Sequence, residues 1–284
     1  MIRKLILTSF IITLLPGAGK RLSFDDVQGK SPFKYAQLGM MNWYSNKNAY
    51  LTWGKNENKG AIVEVSFPDR DTVTFVDSSA FYIDGNKLKV SRFTLDKTET
   101  KLLLLSNREQ IWRHSYYGTY HIMDLKTKTI EPVSKDNTNL RNVKMSPDGK
   151  KVAYVRNDNN IYVYDLIRNR EKKITNNGSK IILNGHFGWV YEEEFGSFDA
   201  YRWSPESQYI AYWEENQSQV PTFTMFDELS LYPTTQEIRY PKAGETNPTM
   251  SIFVANVKNG NRKKMNIGNT KDTYYPWMEW RDDS

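Results

Sequence analysis

Short runs of alternating apolar and polar residues recur along the chain, separated by polar turns. Residues 145–154 and 203–212 align directly, because each has an apolar strand end, a Ser-Pro turn and a second alternating strand. Proline fixes φ at the first corner of such a turn, and Gly149 tolerates a positive φ later in it. Weaker copies occupy residues 93–103 and 43–51. Side chains that alternate with period two predict β-strands throughout the repeat.

Each repeat continues with a third strand, a polar turn and a short fourth strand. Residues 161–166, 120–125 and 252–257 fit the third strand, which ends in Asp or Asn and an apolar residue. Four short strands per unit, at steps of about 50 residues, are typical of a β-propeller blade. One blade cannot cover both faces of its own sheet, so neighbouring blades must stack. We therefore predict an all-β fold of four-stranded antiparallel blades.

Two segments depart from this repeat. Between residues 217 and 248 the spacing stretches and Pro, Thr and aromatic residues accumulate, which predicts an arm that projects from a blade. Residues 276–284 resemble the opening of another repeat, with Trp280 at a strand end. The sequence thus predicts about four blades and the start of a fifth. Because a propeller removes its edge strands by ring closure, we interpret these blades as an incomplete part of a longer ring.

Composition and charge narrow the classes of function. The chain has 18 Tyr, 13 Phe and 8 Trp, which suits β structure. It has no Cys, which excludes disulfides, thiolate metal sites and cysteine nucleophiles. The formal net charge is +6, but basic and acidic residues are interleaved without the basic stripe of a nucleic-acid binder. The three histidines lack metal-ligand spacing, so we expect no metal and no other cofactor.

The N-terminus has the pattern of a secretory signal peptide. Arg3 and Lys4 precede an uncharged run, residues 5–19, that ends in small residues. This run is shorter than the ~20 residues that a membrane-spanning helix needs. We predict a signal peptide at residues 1–19, a propeller at residues 20–284, and export to the periplasm or the extracellular space. An uncleaved membrane anchor is the alternative.

Three successive glutamates that end at Glu194 are the strongest candidate for chemistry. They lie among aromatic residues, in a segment that predicts a short helical turn between strands. Glu193 and Glu194 would border one cavity, and Trp189, Tyr191 and Phe195 would partly shield it. Such a pair suits a protonated primary amine, whose three N–H donors form strong bonds with carboxylates. A solvated acidic turn without a function is the alternative.

Arg113 lies in a second aromatic-rich segment, residues 111–117. Its guanidinium can present two N–H donors to a carbonyl or a carboxylate. An arginine that merely packs on Trp112 at the surface of a blade is the alternative. The sequence contains no G-x-S-x-G motif, so it carries no signature of a hydrolase nucleophile.

Together these motifs resemble the dipeptidyl peptidase IV family of serine peptidases. Residues 189–195, followed by residues 201–205, resemble its double-glutamate segment, and residues 112–116 resemble its arginine-bearing segment. Residues 240–249 are similar to the stretch that follows its projecting arm. The resemblance implies an eight-bladed propeller joined to an α/β-hydrolase domain, which removes X-Pro or X-Ala dipeptides from a free N-terminus.

The resemblance also implies roles for particular residues. Glu193 and Glu194 would hold the α-ammonium of the peptide, Arg113 would contact the carbonyl of its second residue, and the arm at residues 217–248 would form a homodimer. Because the chain has no catalytic triad, we expect it to be inactive alone and to need a hydrolase domain on the same or a neighbouring chain. A stand-alone secreted propeller that binds peptides or a protein partner is the alternative.

Overall fold

The computed structural model describes residues 23–27, 39–229, 231–269 and 273–281. The chain divides into two compact units, Met1–Gly39 and Met40–Ser284. In the first unit, Phe24–Val27 form one helical turn, α1, in which Asp26 accepts hydrogen bonds from the backbone N and the Oγ of Ser23, both at 2.8 Å. The predicted signal peptide lies outside the described residues. Within the described part of the chain, no helix combines the length and the apolar character needed to cross a membrane.

The second unit contains four β-sheets that follow one another along the chain, here called blades 1 to 4. Blade 1 consists of β1 (Asn42–Trp43), β2 (Ala49–Trp53), β3 (Ile62–Ser66) and β4 (Thr72–Val76). A small hairpin of β5 (Tyr82–Ile83) and β6 (Asn86–Lys87) follows blade 1. Blade 2 then consists of β7 (Arg92–Leu95), β8 (Lys101–Gln110), β9 (Tyr116–Asp124) and β10 (Ile130–Pro132). Blade 3 consists of β11 (Arg141–Met145), β12 (Lys151–Val155), β13 (Ile161–Asp165) and β14 (Arg170–Lys173). In all three blades the strands pair antiparallel in sequence order, which confirms the predicted propeller-type repeat.

Blade 4 is interrupted twice. Its strands are β15 (Ile182–His186), β16 (Asp199–Trp203), β17 (Tyr209–Asn216), β20 (Thr249–Asn256) and β21 (Arg262–Lys264). Helix α2 (Trp189–Phe195) lies between β15 and β16. Strands β18 (Thr222–Asp227) and β19 (Thr234–Arg239) lie between β17 and β20 and pair with each other as a separate two-stranded sheet, here called the arm.

The core lies between successive blades, because each central strand buries both of its faces. On β8, Leu102 and Leu104 pack in a cluster with blade 1. Leu103 and Leu105, the alternate residues of the same strand, pack in a cluster with blade 3. Strand β12 divides its side chains between blades 2 and 4 in the same way. Burying a leucine side chain contributes about 1.5–3 kcal/mol, so these alternating contacts hold the blades together.

The remaining face of blade 4 is covered by α2 and by residues 273–281. The indole Nε1 of Trp213 donates a hydrogen bond to the carbonyl of Tyr275 at 2.7 Å. The backbone N of Tyr275 donates to the hydroxyl of Tyr191 at 3.1 Å, and the indole of Trp280 donates to the carbonyl of Arg202 at 3.2 Å. Residues 273–281 form no strand among the described residues, so the start of a fifth blade stays a prediction.

Candidate functional site

Helix α2 is a short helix that begins after Gly188 and ends at Gly196, and hydrogen bonds fix both of its ends. At its start the N-cap residue is Gly188, which has no side chain for capping. The start of the helix is instead attached to β17, because Oε2 of Glu215 accepts a hydrogen bond from the backbone N of Gly188 at 2.8 Å. At its end Gly196 adopts a left-handed conformation, with φ 64°, and donates to the carbonyl of Tyr191. These contacts fix the orientation of the glutamates that α2 carries.

Glu192 attaches α2 to the loop that carries Arg113. Its side chain is fully buried, and Oε1 accepts hydrogen bonds from the backbone N of His114 and of Ser115, both at 2.7 Å. The loop itself is closed by a hydrogen bond from the backbone N of Ile111 to the carbonyl of Ser115 at 2.9 Å. Hydrogen bonds to an ionised acceptor are stronger than neutral ones. Glu192 therefore holds blade 2 and α2 in a fixed relation at this point.

The structure brings Arg113 and Glu193 together. Nε of Arg113 lies 3.0 Å from Oε2 of Glu193, with side-chain exposures of 70% and 16%. Glu194 follows on the same helix, and its residue is exposed to solvent. An ion pair with one exposed partner contributes about 0–1 kcal/mol, so a competing cation can displace Arg113 from Glu193 at little cost.

Two of the aromatic residues near the glutamates, Tyr191 and Trp189, pack against different aromatic partners. Tyr191 is only 1% exposed and stacks on Phe187, with ring centroids 4.6 Å apart. Its side chain packs in the core of blade 4 because the adjacent Glu192 and Glu193 face the 111–115 loop. Trp189 packs on Tyr240, with centroids 4.3 Å apart.

Glu215 and Gln217 form a buried pair behind the start of α2. Nε2 of Gln217 donates to Oε1 of Glu215 at 2.7 Å, while Oε2 serves Gly188. Burial raises the pKa of Glu215 to about 7, against the opposing effect of these two hydrogen bonds. A Cβ on Gly188 would lie 2.0 Å from Nε2 of Gln217 and 2.6 Å from Oε1 of Glu215. A side chain at this position would therefore have to displace the ends of Gln217 and Glu215 from their hydrogen bonds.

Sequence reasoning missed Glu192 and Glu215 as residues that organise the site. Both accept hydrogen bonds from backbone N–H groups of distant segments, and a backbone donor has no sequence signature. The triple glutamate is a signal for Glu192, whereas Glu215 lies in a strand pattern that gives none. Among the described residues, no group of three or more His, Cys, Asp or Glu is placed to hold a metal ion.

Comparison with known proteins adds independent findings. Residues 96–284 match the sequence model of the dipeptidyl peptidase IV (DPP IV) N-terminal region. The chain is 33% identical to dipeptidyl aminopeptidase B of Saccharomyces cerevisiae over 222 residues, which is 76% of this chain and 27% of the relative. It is 36% identical to dipeptidyl peptidase 4 of Bos taurus over 222 residues, which is 76% of this chain and 28% of the relative.

Solved structures agree with these sequence matches. The crystal structure of Porphyromonas gingivalis dipeptidyl peptidase 4 superposes with a TM-score of 0.82 and 28% identity, over 91% of this chain and 37% of that one. A putative dipeptidyl aminopeptidase IV from Bacteroides ovatus, at 20% identity and a TM-score of 0.59, shares the fold. The chain thus spans less than a third of the length of the two sequence relatives.

Proposed function

Because the chain belongs to the dipeptidyl peptidase IV family, we propose that it is the part of a serine dipeptidyl peptidase that holds the free amino end of a peptide. The observation that carries this proposal is the Arg113–Glu193 pair, fixed on α2 through Glu192, with Glu194 beside it. The pair joins a partly shielded carboxylate to an exposed guanidinium, so both charges are available to a ligand.

The side chains of Glu193, Glu194 and Arg113 fit two groups at the start of a peptide, its α-ammonium and a carbonyl oxygen. An α-ammonium has three N–H donors and a positive charge, which Glu193 and Glu194 can accept together. An ammonium that takes Glu193 frees the guanidinium of Arg113, whose N–H groups then donate to a carbonyl oxygen of the peptide. An acetylated amino end has neither the charge nor three donors, so this arrangement rejects it.

Holding the amino end at a fixed place also explains dipeptide release. We propose that the nucleophile belongs to an α/β-hydrolase domain on the same or a neighbouring chain. A fixed distance between the ammonium and that nucleophile would place the second peptide bond for attack, and such orientation accounts for about 7–11 kcal/mol of a barrier in favourable cases. Release of X-Pro or X-Ala dipeptides after export from the cytoplasm completes the proposal.

We also propose that the arm forms a homodimer. Its two strands pair only with each other among the described residues, and several large apolar side chains at its tip are exposed. Phe226 is 69% exposed, Leu229 99% and Leu231 89%. Apolar groups clustered at the end of a ribbon favour an interface with another protein surface.

The amine-binding proposal is tested by calorimetric titration of the whole chain with Gly-Pro-Tyr amide and with its N-acetylated form. We expect the free amine to bind at least 10-fold more tightly, since a charge-assisted hydrogen bond contributes about 1.5–3 kcal/mol. Glu193→Gln and Glu194→Gln should each remove most of this difference. The control Glu206→Gln changes an exposed glutamate in the turn between β16 and β17 and should have no effect. Equal affinity for the free and the acetylated peptide would contradict the amine-binding proposal.

A further inference from the structure

A cavity of about 380 Å³ is lined by Trp112, the residue before Arg113, and by Trp189 of α2. It is open to solvent on one side and is bordered by the 111–115 loop, the start of β11, strand β15 with the start of α2, and the base of the arm. Its lining side chains include Trp112, Arg141, Lys180, Trp189, Glu237 and Arg239. Three of these six are cations and one is an anion, so the cavity favours an anionic occupant.

Arg141 is the buried cation of this cavity. Only 5% of the residue is exposed, and its Nε has no hydrogen-bond partner. No carboxylate among the described residues lies within 4.0 Å of its guanidinium as an ion-pair partner. Burial lowers the pKa of Arg141, against the opposing effect of Tyr117, which lies against the guanidinium with its ring centroid 5.6 Å from Cζ, and of the Glu192 carboxylate. An unpaired buried donor on a charged group is costly, so an anion that reaches Nε of Arg141 from the cavity is stabilised there.

The other polar groups around the cavity do not supply that anion. Oε1 of Glu192 is occupied by two backbone N–H groups and its Oε2 is buried without a hydrogen-bond partner, while Glu215 lies behind Gly188, where it binds Gln217. Glu237 is exposed on the arm, and among the described residues neither it nor Glu192 forms an ion pair with Arg141. Burial, and then the charge of Arg141, hold the pKa of His186 well below its usual range, so its ring is neutral. Arg239 donates to the carbonyl of Val220 at 2.8 Å, which fixes it at the base of the arm.

The cavity and the proposed amine site are adjacent along α2. Trp189 lines the cavity and Glu193 holds Arg113, and residues four apart on a helix are neighbours, with Cβ atoms about 5–6 Å apart. On the opposite wall, Trp112 lines the cavity directly before Arg113. A ligand that places its ammonium on Glu193 therefore lies next to residues that line this cavity.

We propose that this cavity binds a carboxylate, supplied by an acidic side chain on the first residue of the bound peptide. Arg141 is the partner of that carboxylate, and Lys180 at the exposed rim adds to the attraction. The proposal rests on the amine-binding function for the position of the peptide. It predicts that the site prefers peptides that begin with Asp over peptides that begin with Asn, which have the same shape without the charge.

The test uses the whole chain and two peptides, Asp-Pro-Tyr amide and Asn-Pro-Tyr amide, titrated by calorimetry. We expect the Asp peptide to bind about 10-fold more tightly, as one charge-assisted bond provides. Arg141→Gln should abolish this preference and leave the affinity for the Asn peptide unchanged. Lys180→Gln, an exposed substitution that cannot disturb the core, should reduce the preference several-fold. Lys150→Gln, at an exposed lysine between β11 and β12, is the control and should leave it intact.

The outcomes separate this proposal from the proposed function. If both peptides bind equally, the carboxylate site is overturned and the amine site stands. If Arg141→Gln and Lys180→Gln both keep the preference, the cavity is not its source and the proposal fails. If neither peptide binds, the amine site fails, and acetate decides the cavity alone. If acetate raises the melting temperature of the unchanged chain but not that of Arg141→Gln, the cavity binds a free carboxylate. If acetate raises both melting temperatures equally, the carboxylate site is overturned.

Discussion

Three adjacent glutamates of α2 lie in three different environments. Glu192 is buried and bound to two backbone N–H groups, Glu193 is half-buried against Arg113, and Glu194 is exposed. Successive side chains on a helix point about 100° apart, so one turn is enough to separate them. The same residue type therefore provides an anchor inside the protein and two carboxylates that a ligand can reach.

Glu215 should make the stability of the chain depend on pH. Its pKa is raised from 4.5 to about 7 by burial, so the folded state binds this proton more tightly than the unfolded state. The stabilisation is complete below about pH 4.5 and is lost as the pH rises through 7, up to about 3 kcal/mol in total. We expect Glu215→Gln to remove this loss, which denaturant unfolding between pH 5 and pH 8 measures.

Glu131→Gln provides the comparison for that measurement. Glu131 is an exposed glutamate of β10, so the substitution removes a carboxylate without changing a buried group. Its unfolding free energy should fall across pH 5–8 as in the unchanged chain. A Glu215→Gln protein that loses stability in parallel with the control would show that Glu215 is ionised throughout this range.

At the scale of elements, the sequence was sufficient for the strands and for α2, and insufficient for the contacts between them. Strands β12 and β17 were predictable because each follows a Ser-Pro turn and such a pattern is local. The contact from Glu192 to His114 joins residues 78 positions apart, and the partner is a backbone N–H that every residue but proline has. The proximity of Arg113 to Glu193 follows from that same contact, so the candidate residues were predictable and their geometry was not.

The arm is the element whose proposed role is easiest to separate from the rest of the protein. Replacing Leu229 and Leu231 together by Ser removes two of its most exposed apolar side chains. If the arm forms a homodimer, each buried leucine contributes about 1.5–3 kcal/mol, so dimerisation should weaken at least 10-fold. Sedimentation velocity across a range of concentrations measures this change.

Ile167→Ser is the control for the arm. Ile167 is 71% exposed in the turn between β13 and β14, far along the chain from the arm, so it tests for general surface hydrophobicity. It should leave the association state unchanged. A chain that remains monomeric before any substitution, at the highest concentration reached, contradicts the dimer proposal directly.

At the scale of the whole molecule, successive blades are joined by apolar clusters that lie between their sheets. Blades 1 and 2 share one cluster, blades 2 and 3 a second, and blades 3 and 4 a third. The period of the repeat predicted this stack. The packing of residues 273–281 on blade 4 was not predictable from the sequence. Their hydrogen bond with Trp213 is accepted by the backbone carbonyl of Tyr275, a group that every residue type has.

A stack of this kind should respond locally to a defect at one interface, because each blade is stabilised mainly by its neighbours. Tyr201 of blade 4 is fully buried, and its hydroxyl lies within hydrogen-bond distance of the carbonyls of Asn142 and Ala153 in blade 3. Tyr201→Phe leaves those buried carbonyls without this donor, at a cost of about 1–3 kcal/mol. Hydrogen exchange should show faster opening of blades 3 and 4 and unchanged protection in blade 1, whereas Tyr209→Phe, at a residue 38% exposed, should change neither. An equal loss of protection in all four blades would mean that the sheets unfold as one cooperative body, and the nearest-neighbour description would have to be abandoned.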